Sequence, residues 1–332
     1  MKNTLLKIIP WFFLALFATE ILAILVPKAD KDFHLQEFGR LPVLLNGRIQ
    51  PLDSVGRNAL LQIRNTSDVP LEEKKSYEFW KHPKKLRATE WIMEVMMHSE
   101  QADTRPIFLI HHPDLLNELE LRGKGVEKSG LYYFTLNELT NCIAKIEKEG
   151  RQVAEVDVQQ RTAYQKQVAN LHNALSLYQR LKHSLKPGGV TDFATELAAF
   201  EKSLGPGITA FKARSAGQPF DQEAFNAFIG HLSGYDRVAR VAHPLLVPPD
   251  DPKDKGQAWE NAGQALVGVG LGKRELPVAM RCYARMATAV VDQKPADFNA
   301  ALGEYRTWLA GKFDTEVNKG RAEVFFNNLQ AF

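Results

Sequence analysis

His111 and His112 are the first residues in this chain whose types suggest chemistry. They close the apolar run Arg105–Ile110, which reads as a buried strand. Adjacent residues on a strand point to opposite faces, so the two rings cannot share one metal ion without backbone distortion. One ring alone could act as a ligand, with a partner such as His34 or His98. The pair could equally end the strand with one ring bonded to backbone. The methionines of the 86–98 stretch are soft enough for metal. At helical spacing they read as core filler. Cys142 and Cys282 form no C-x-x-C pair and no zinc spacing. They read as two free thiols, with a disulfide left open. Gly268–Arg274 looks like a phosphate loop, but a Walker A motif needs glycine at 267 and Ser or Thr at 274, where this chain has Val267 and Arg274. The stretch reads instead as a glycine-capped helix end. No Gly-x-Ser-x-Gly or His-Glu-x-x-His motif occurs, so nothing assembles a nucleophile, a base and an oxyanion site.

The elements that must carry these residues divide at residues 32 and 140. Residues 1–32 hold a short stub with Lys2 and Lys7, then a nearly unbroken apolar run from Ile8 to Val26. At 1.5 Å per residue that run spans about 28 Å, close to one hydrocarbon core. It exceeds the h-region of a signal peptide and no Ala-x-Ala site follows it, so it predicts an uncleaved transmembrane anchor. Trp11 stands where an interfacial aromatic belongs. Glu20 lies inside the run, where an ionisable group costs about 2.5–3.5 kcal/mol on insertion scales. It reads either as a contact with a partner membrane helix or as a residue near the outer edge. Lys2 and Lys7 favour an N-terminus inside and the bulk outside, on the periplasmic face of the cytoplasmic membrane.

Residues 33–140 read as a small α+β module, and its opening stretch is the most specific in the chain. Leu41–Leu45 is apolar, Asn46-Gly47 suits a type I′ turn, and Arg48–Gln50 would return antiparallel. Pro51 ends the ladder, and Asp53 or Ser54 would cap a helix running to Ile63. Residues 65–85 read as a polar excursion with Trp80 as a loop anchor. A helix over 86–98, with Thr89 near its start, precedes the strand Arg105–Ile110. Asp114 would cap a helix through Leu119, and Leu131–Phe134 reads as a further strand. Thr135 and Glu138 form a capping box.

Residues 141–332 read as helical. A helix over 136–149, broken at Glu149-Gly150, pairs with a second carrying a seam of Tyr164, Val168, Leu171, Leu175 and Tyr178. Breaks follow at 186–189, at Leu204-Gly205-Pro206-Gly207, at 215–219 and at Pro244–Pro252, the last reading as a flexible loop. Two final helices cover 295–310 and 314–332, with Phe325, Leu329 and Phe332 on one face. The whole predicts a mainly α chain with a small β element: an N-terminal transmembrane helix, then a helical extracytoplasmic region. Lys and Arg number 42 against 39 Asp and Glu, a balance that gives no ground for a nucleic-acid partner.

Leu41, Pro42, Val43, Gly47, Arg48, Pro51, Leu52, Asp53 and Arg57 together make the pattern LPV…GR…PLD…R. This pattern resembles the opening of the extracytoplasmic domain in system II cytochrome c biogenesis proteins, the CcsA/ResC and CcsB/ResB machinery. The order of a Trp-led helix, a P-[IV]-F-x-I strand, a leucine helix and the YYFTLNEL segment extends the resemblance. It implies haem delivery and cytochrome c assembly, with a haem-handling membrane protein and apocytochrome c as partners. It also implies that the last helix leads to another membrane span. The tryptophan-rich haem-handling motif of the family (W-G-x-x-W-x-W-D) does not occur in these 332 residues. The resemblance therefore implies a segment that positions apocytochrome or braces the haem-handling part without ligating haem itself, with His111 and His112 as its candidates for haem contact. An anchored sensor or scaffold domain, or an anchored hydrolase, are the other classes the sequence leaves open. If the anchor reading holds, N-terminal sequencing of the membrane-bound protein finds residues before Val26; a mature chain starting near Lys28 contradicts it.

Overall fold

A computed structural model of the chain describes residues 9–17, 19, 30, 32–72, 74–75, 77–78, 80–128, 130–253 and 258–329. Helix α1 (residues 9–17) exposes its apolar side chains, Trp11 at 71%. Among the described residues no helix is long and apolar enough to cross a membrane. Much of the expected span 8–26, including Glu20, lies outside them, as do residues 1–8.

The rest is mainly helical with small antiparallel sheets. Helix α2 (Leu35–Gly39) leads into the hairpin β1 (Pro42–Leu45) and β2 (Arg48–Pro51), followed by α3 (Leu52–Arg64). Strands β3 (Asp68–Pro70) and β4 (Lys85–Arg87) form a second pair before α4 (Ala88–Met97) and α5 (Ser99–Ala102). A three-stranded sheet orders β5 (Phe108–Ile110), β7 (Leu131–Phe134) and β6 (Val126–Lys128), with α6 (Pro113–Glu118) between β5 and β6. Then come α7 (Leu136–Leu139), α8 (Ile143–Ala154), α9 (Ala163–Lys182), α10 (Phe193–Ser215), α11 (Gln222–Val241), α12 (Ala262–Gly270), α13 (Val278–Val291), α14 (Pro295–Lys312) and α15 (Asp314–Leu329).

The first hairpin has the expected turn. Asn46 and Gly47 take φ of 52° and 75°, and Leu45 faces Arg48 across it. The helix after it starts earlier than expected. Pro51 occupies the cap position without a side-chain bond, and Asp53 and Ser54 lie inside the first turn. Their side chains reach other elements instead, as shown below. Likewise α4 begins at Ala88 behind Arg87, whose N–H donates to Glu90 Oε2 at 2.9 Å. Thr89, expected near the start, turns inward. Helix α6 starts at Pro113 with no side-chain cap, so Asp114 does not cap it. The Thr135–Glu138 capping box forms as expected, with Glu138 N–H donating to Thr135 Oγ1 at 3.1 Å.

One cluster of buried side chains runs from Leu35 to Phe313, across residue 140 without interruption. Helix α4 packs on α3, α9 and α13, and α13 packs on α10 and α14. Val168, Leu171, Leu175 and Tyr178 of α9 point into this cluster, so the seam is internal packing.

Two breaker signals are overruled by packing, while the break at Pro244–Pro252 holds between α11 and α12. Helix α8 continues through Gly150, where a Cβ would stand 2.4 Å from the His172 ring. Helix α10 continues through Pro206, and a Cβ on Gly207 would stand 2.4 Å from Phe228. In both places glycine lets two helices close in. The Pro244–Pro252 segment is pinned near its start: Leu245 exchanges backbone hydrogen bonds with Leu44, and Leu246 and Val247 are buried. Trp80 is 64% exposed. Asp68 is tied to Pro106 through Arg64, fully buried, whose Nε donates to Asp68 O at 3.1 Å and Nη1 to Pro106 O at 2.7 Å.

The crossing of α11 and α12 gives a paired test. A Cβ on Gly263 would stand 2.2 Å from Ala239 N and 2.4 Å from Tyr235 O, backbone atoms that cannot swing aside. Gly230, mid-α11, has open space around it. Thermal melts should show Gly263→Ala lowering stability by about 1–3 kcal/mol, and Gly230→Ala raising it by up to about 1 kcal/mol. Equal shifts for the two would contradict this packing.

Candidate functional site

The residues of the LPV…GR…PLD…R pattern come together as a junction between the opening hairpin and the last helix. Leu41, Val43 and Leu52 are in the core. Pro42 pairs with Pro51 across the base of the hairpin. This places Asp53, in the first turn of α3, against both α4 and α15. The Asp53 carboxylate is buried. It accepts from Thr89 Oγ1 at 2.7 Å, Arg57 Nε at 2.7 Å and Asn327 Nδ2 at 3.1 Å. One acid thus joins three helices.

Around it the bonds continue outward. Ser54 Oγ donates to Glu323 Oε1 at 2.6 Å and accepts from Asn327 Nδ2 at 2.9 Å. The Arg48 guanidinium, just past the turn, pairs with Glu323 Oε2. Arg57 Nη2 donates to Asn328 Oδ1 at 2.9 Å. Every polar side chain of the pattern is therefore engaged with α3, α4 or α15. The arrangement offers no free nucleophile or base. Its chemistry is mechanical: charge-assisted hydrogen bonds, each stronger than a neutral pair, fasten the last helix to the start of the domain.

The histidines stand elsewhere. His111 and His112 lie just past the end of β5, so strand alternation does not orient them. His111 is exposed. The His112 ring meets Tyr164 edge-on at 5.6 Å, and its Nδ1 lies 3.9 Å from Asp114 Oδ2. Tyr164 Oη bonds Glu118 Oε2 at 2.6 Å and Glu149 Oε2 at 2.7 Å. Burial first, and then these carboxylates, push the phenol well above its usual range. The same phenol, with Lys145, draws Glu118 downward. His34 sits at the start of α2, and His98 between α4 and α5. Among the described residues no group of three or more His, Cys, Asp or Glu is arranged to hold a metal ion.

Both cysteines are free thiols. Cys142 Sγ donates to Leu119 O at 3.4 Å. Cys282 is buried on α13, and burial pushes its thiol up to about 11. Gly268 and Gly270 fall within α12, and Gly272 follows it at φ 68°, so the glycine run is a helix end as expected.

Sequence reasoning did not find the α15 half of the junction. Glu323, Asn327 and Asn328 recur at four- and five-residue spacing among Phe325 and Phe326, and that polar spacing was the available signal. Phe325 and Phe326 are exposed. Comparison of the chain with known protein families, with curated proteins and with solved structures found no match.

A double-mutant cycle tests the junction. Asp53→Ala leaves Thr89 Oγ1 and Arg57 Nε without their acceptor, which costs about 1–3 kcal/mol at the buried Thr89. Combined with Asn327→Ala in urea unfolding, it should show a coupling energy of about 0.5–3 kcal/mol. Additive effects would mean that α15 is held by something else.

Proposed function

We propose that the chain is a membrane-anchored assembly factor for c-type cytochromes. In this reading residues 1–32 form a stub and transmembrane anchor, and the helical region lies on the periplasmic side of the cytoplasmic membrane. That region braces a haem-handling membrane module or positions apocytochrome c beside it. Haem belongs to the whole system and not to this segment.

One observation supports the reading most. The polar residues of the resemblance, Arg48, Asp53 and Arg57, all bond α15. The segment after the anchor is held nearby as well: Asn299 on α14 accepts from His34 N–H at 2.8 Å and donates to Asp32 O at 2.9 Å. The two ends of the domain are thus tied into one unit, which suits a brace between an entering and a leaving membrane helix. The exposed apolar side chains of α1 suit lipid contact.

Deletion of the gene in its own host tests this. Haem-stained c-type cytochromes should fall severalfold and recover with the wild-type gene, and crosslinking of the tagged full chain should capture a haem-handling membrane protein or apocytochrome c. Normal cytochrome levels, with no such crosslink, would contradict the reading and favour an anchored sensor or scaffold.

A further inference from the structure

Beside the junction, a cleft of about 280 Å³ opens between the end of α2, the start of β1, α14 and α15. Its charged lining is Glu37, Arg40, Arg306 and Arg321. Three guanidinium groups therefore face one carboxylate, an excess of two positive charges. Glu37 is already shared: Oε1 accepts from Arg40 Nη1 at 2.7 Å, and Oε2 is ion-paired with Arg306. The Arg40 Nε–H is buried with no acceptor. Arg321 is exposed, and its reach to Asn318 Oδ1 is a long 3.5 Å. A buried donor left unmade is costly.

We propose that this cleft binds a phosphate-type oxyanion. Guanidinium groups recognise phosphate through paired N–H donors. Here they come from three elements, which suits a tetrahedral anion with several oxygens better than a planar carboxylate. The volume sits at the lower edge of ligand pockets, which run from about 300 to 1,000 Å³. That admits a free phosphate, a small phosphate ester or a phospholipid headgroup, and excludes a large cofactor.

The test uses the full chain in dodecyl maltoside, which contains no phosphorus, and phosphorus NMR titration. The probes are inorganic phosphate and monomeric dihexanoyl-phosphatidylglycerol, with dihexanoyl-phosphatidylcholine as the zwitterionic control. Wild type should broaden the anionic probes saturably. Arg306→Gln and Arg321→Gln should each weaken binding by about tenfold, the value of one charge-assisted hydrogen bond. Arg321→Gln leaves both Glu37 pairs in place, so it reports on binding even if Arg306→Gln unfolds the domain. Arg285→Gln, which removes an exposed pair with Glu304 on α13 and α14, should bind as wild type does. Phosphatidylglycerol binding tighter than inorganic phosphate assigns a lipid headgroup; equal or weaker binding assigns a free phosphate. No saturable binding of either probe, or a loss that is the same in Arg285→Gln, overturns the proposal.

Discussion

The Asp53 carboxylate is the point on which this structure closes. It accepts from α3 itself, from α4 and from α15, across more than two hundred residues of chain. A buried carboxylate is tolerated only when its oxygens are fully bonded, and here the donors come from elements that could otherwise separate. Helix α4 is core to the fold. Helix α15 is not: its aromatic side chains Phe325 and Phe326 face outward, and among its described residues Val324 is a rare buried apolar one. Polar bonds, more than apolar burial, therefore hold the last helix in place.

That division of labour explains the hairpin. A tight turn with two positive φ angles fixes the register of β1 and β2, which sets Arg48 opposite Leu45 and brings its guanidinium to Glu323. Pro51 stops the ladder and starts α3 one residue on, so Asp53 and Ser54 emerge on the face that α15 covers. A short helix cap at either residue would have consumed the side chain locally. The tertiary bonds are charge-assisted and include a buried carboxylate, and they win over the local one.

Local signals were legible where local energy decides. The Asn46-Gly47 turn, the Thr135–Glu138 box, the Leu131–Phe134 strand and the α9 seam were all readable from residue type and spacing. Gly150 and Gly207 look like breaks in the sequence because their reason for being glycine lies on another helix, at His172 and Phe228. The cap role given to Asp53 failed for the same reason: its partners Thr89 and Asn327 are distant in sequence. The arginine cleft was invisible from sequence because Arg40, Arg306 and Arg321 share no local pattern. The pattern residues themselves were found, as a set, before their common task could be seen.

The most direct test is hydrogen–deuterium exchange on the intact chain with Asp53 replaced by Asn, a change of nearly the same shape that removes the charge. If α15 is held by this carboxylate, amides of residues 318–328 exchange at least tenfold faster in the variant, while those of α9 and α13 keep their wild-type protection. Unchanged exchange in α15, or a uniform rise across all helices, would contradict the claim that the opening motif is the lock for the last helix.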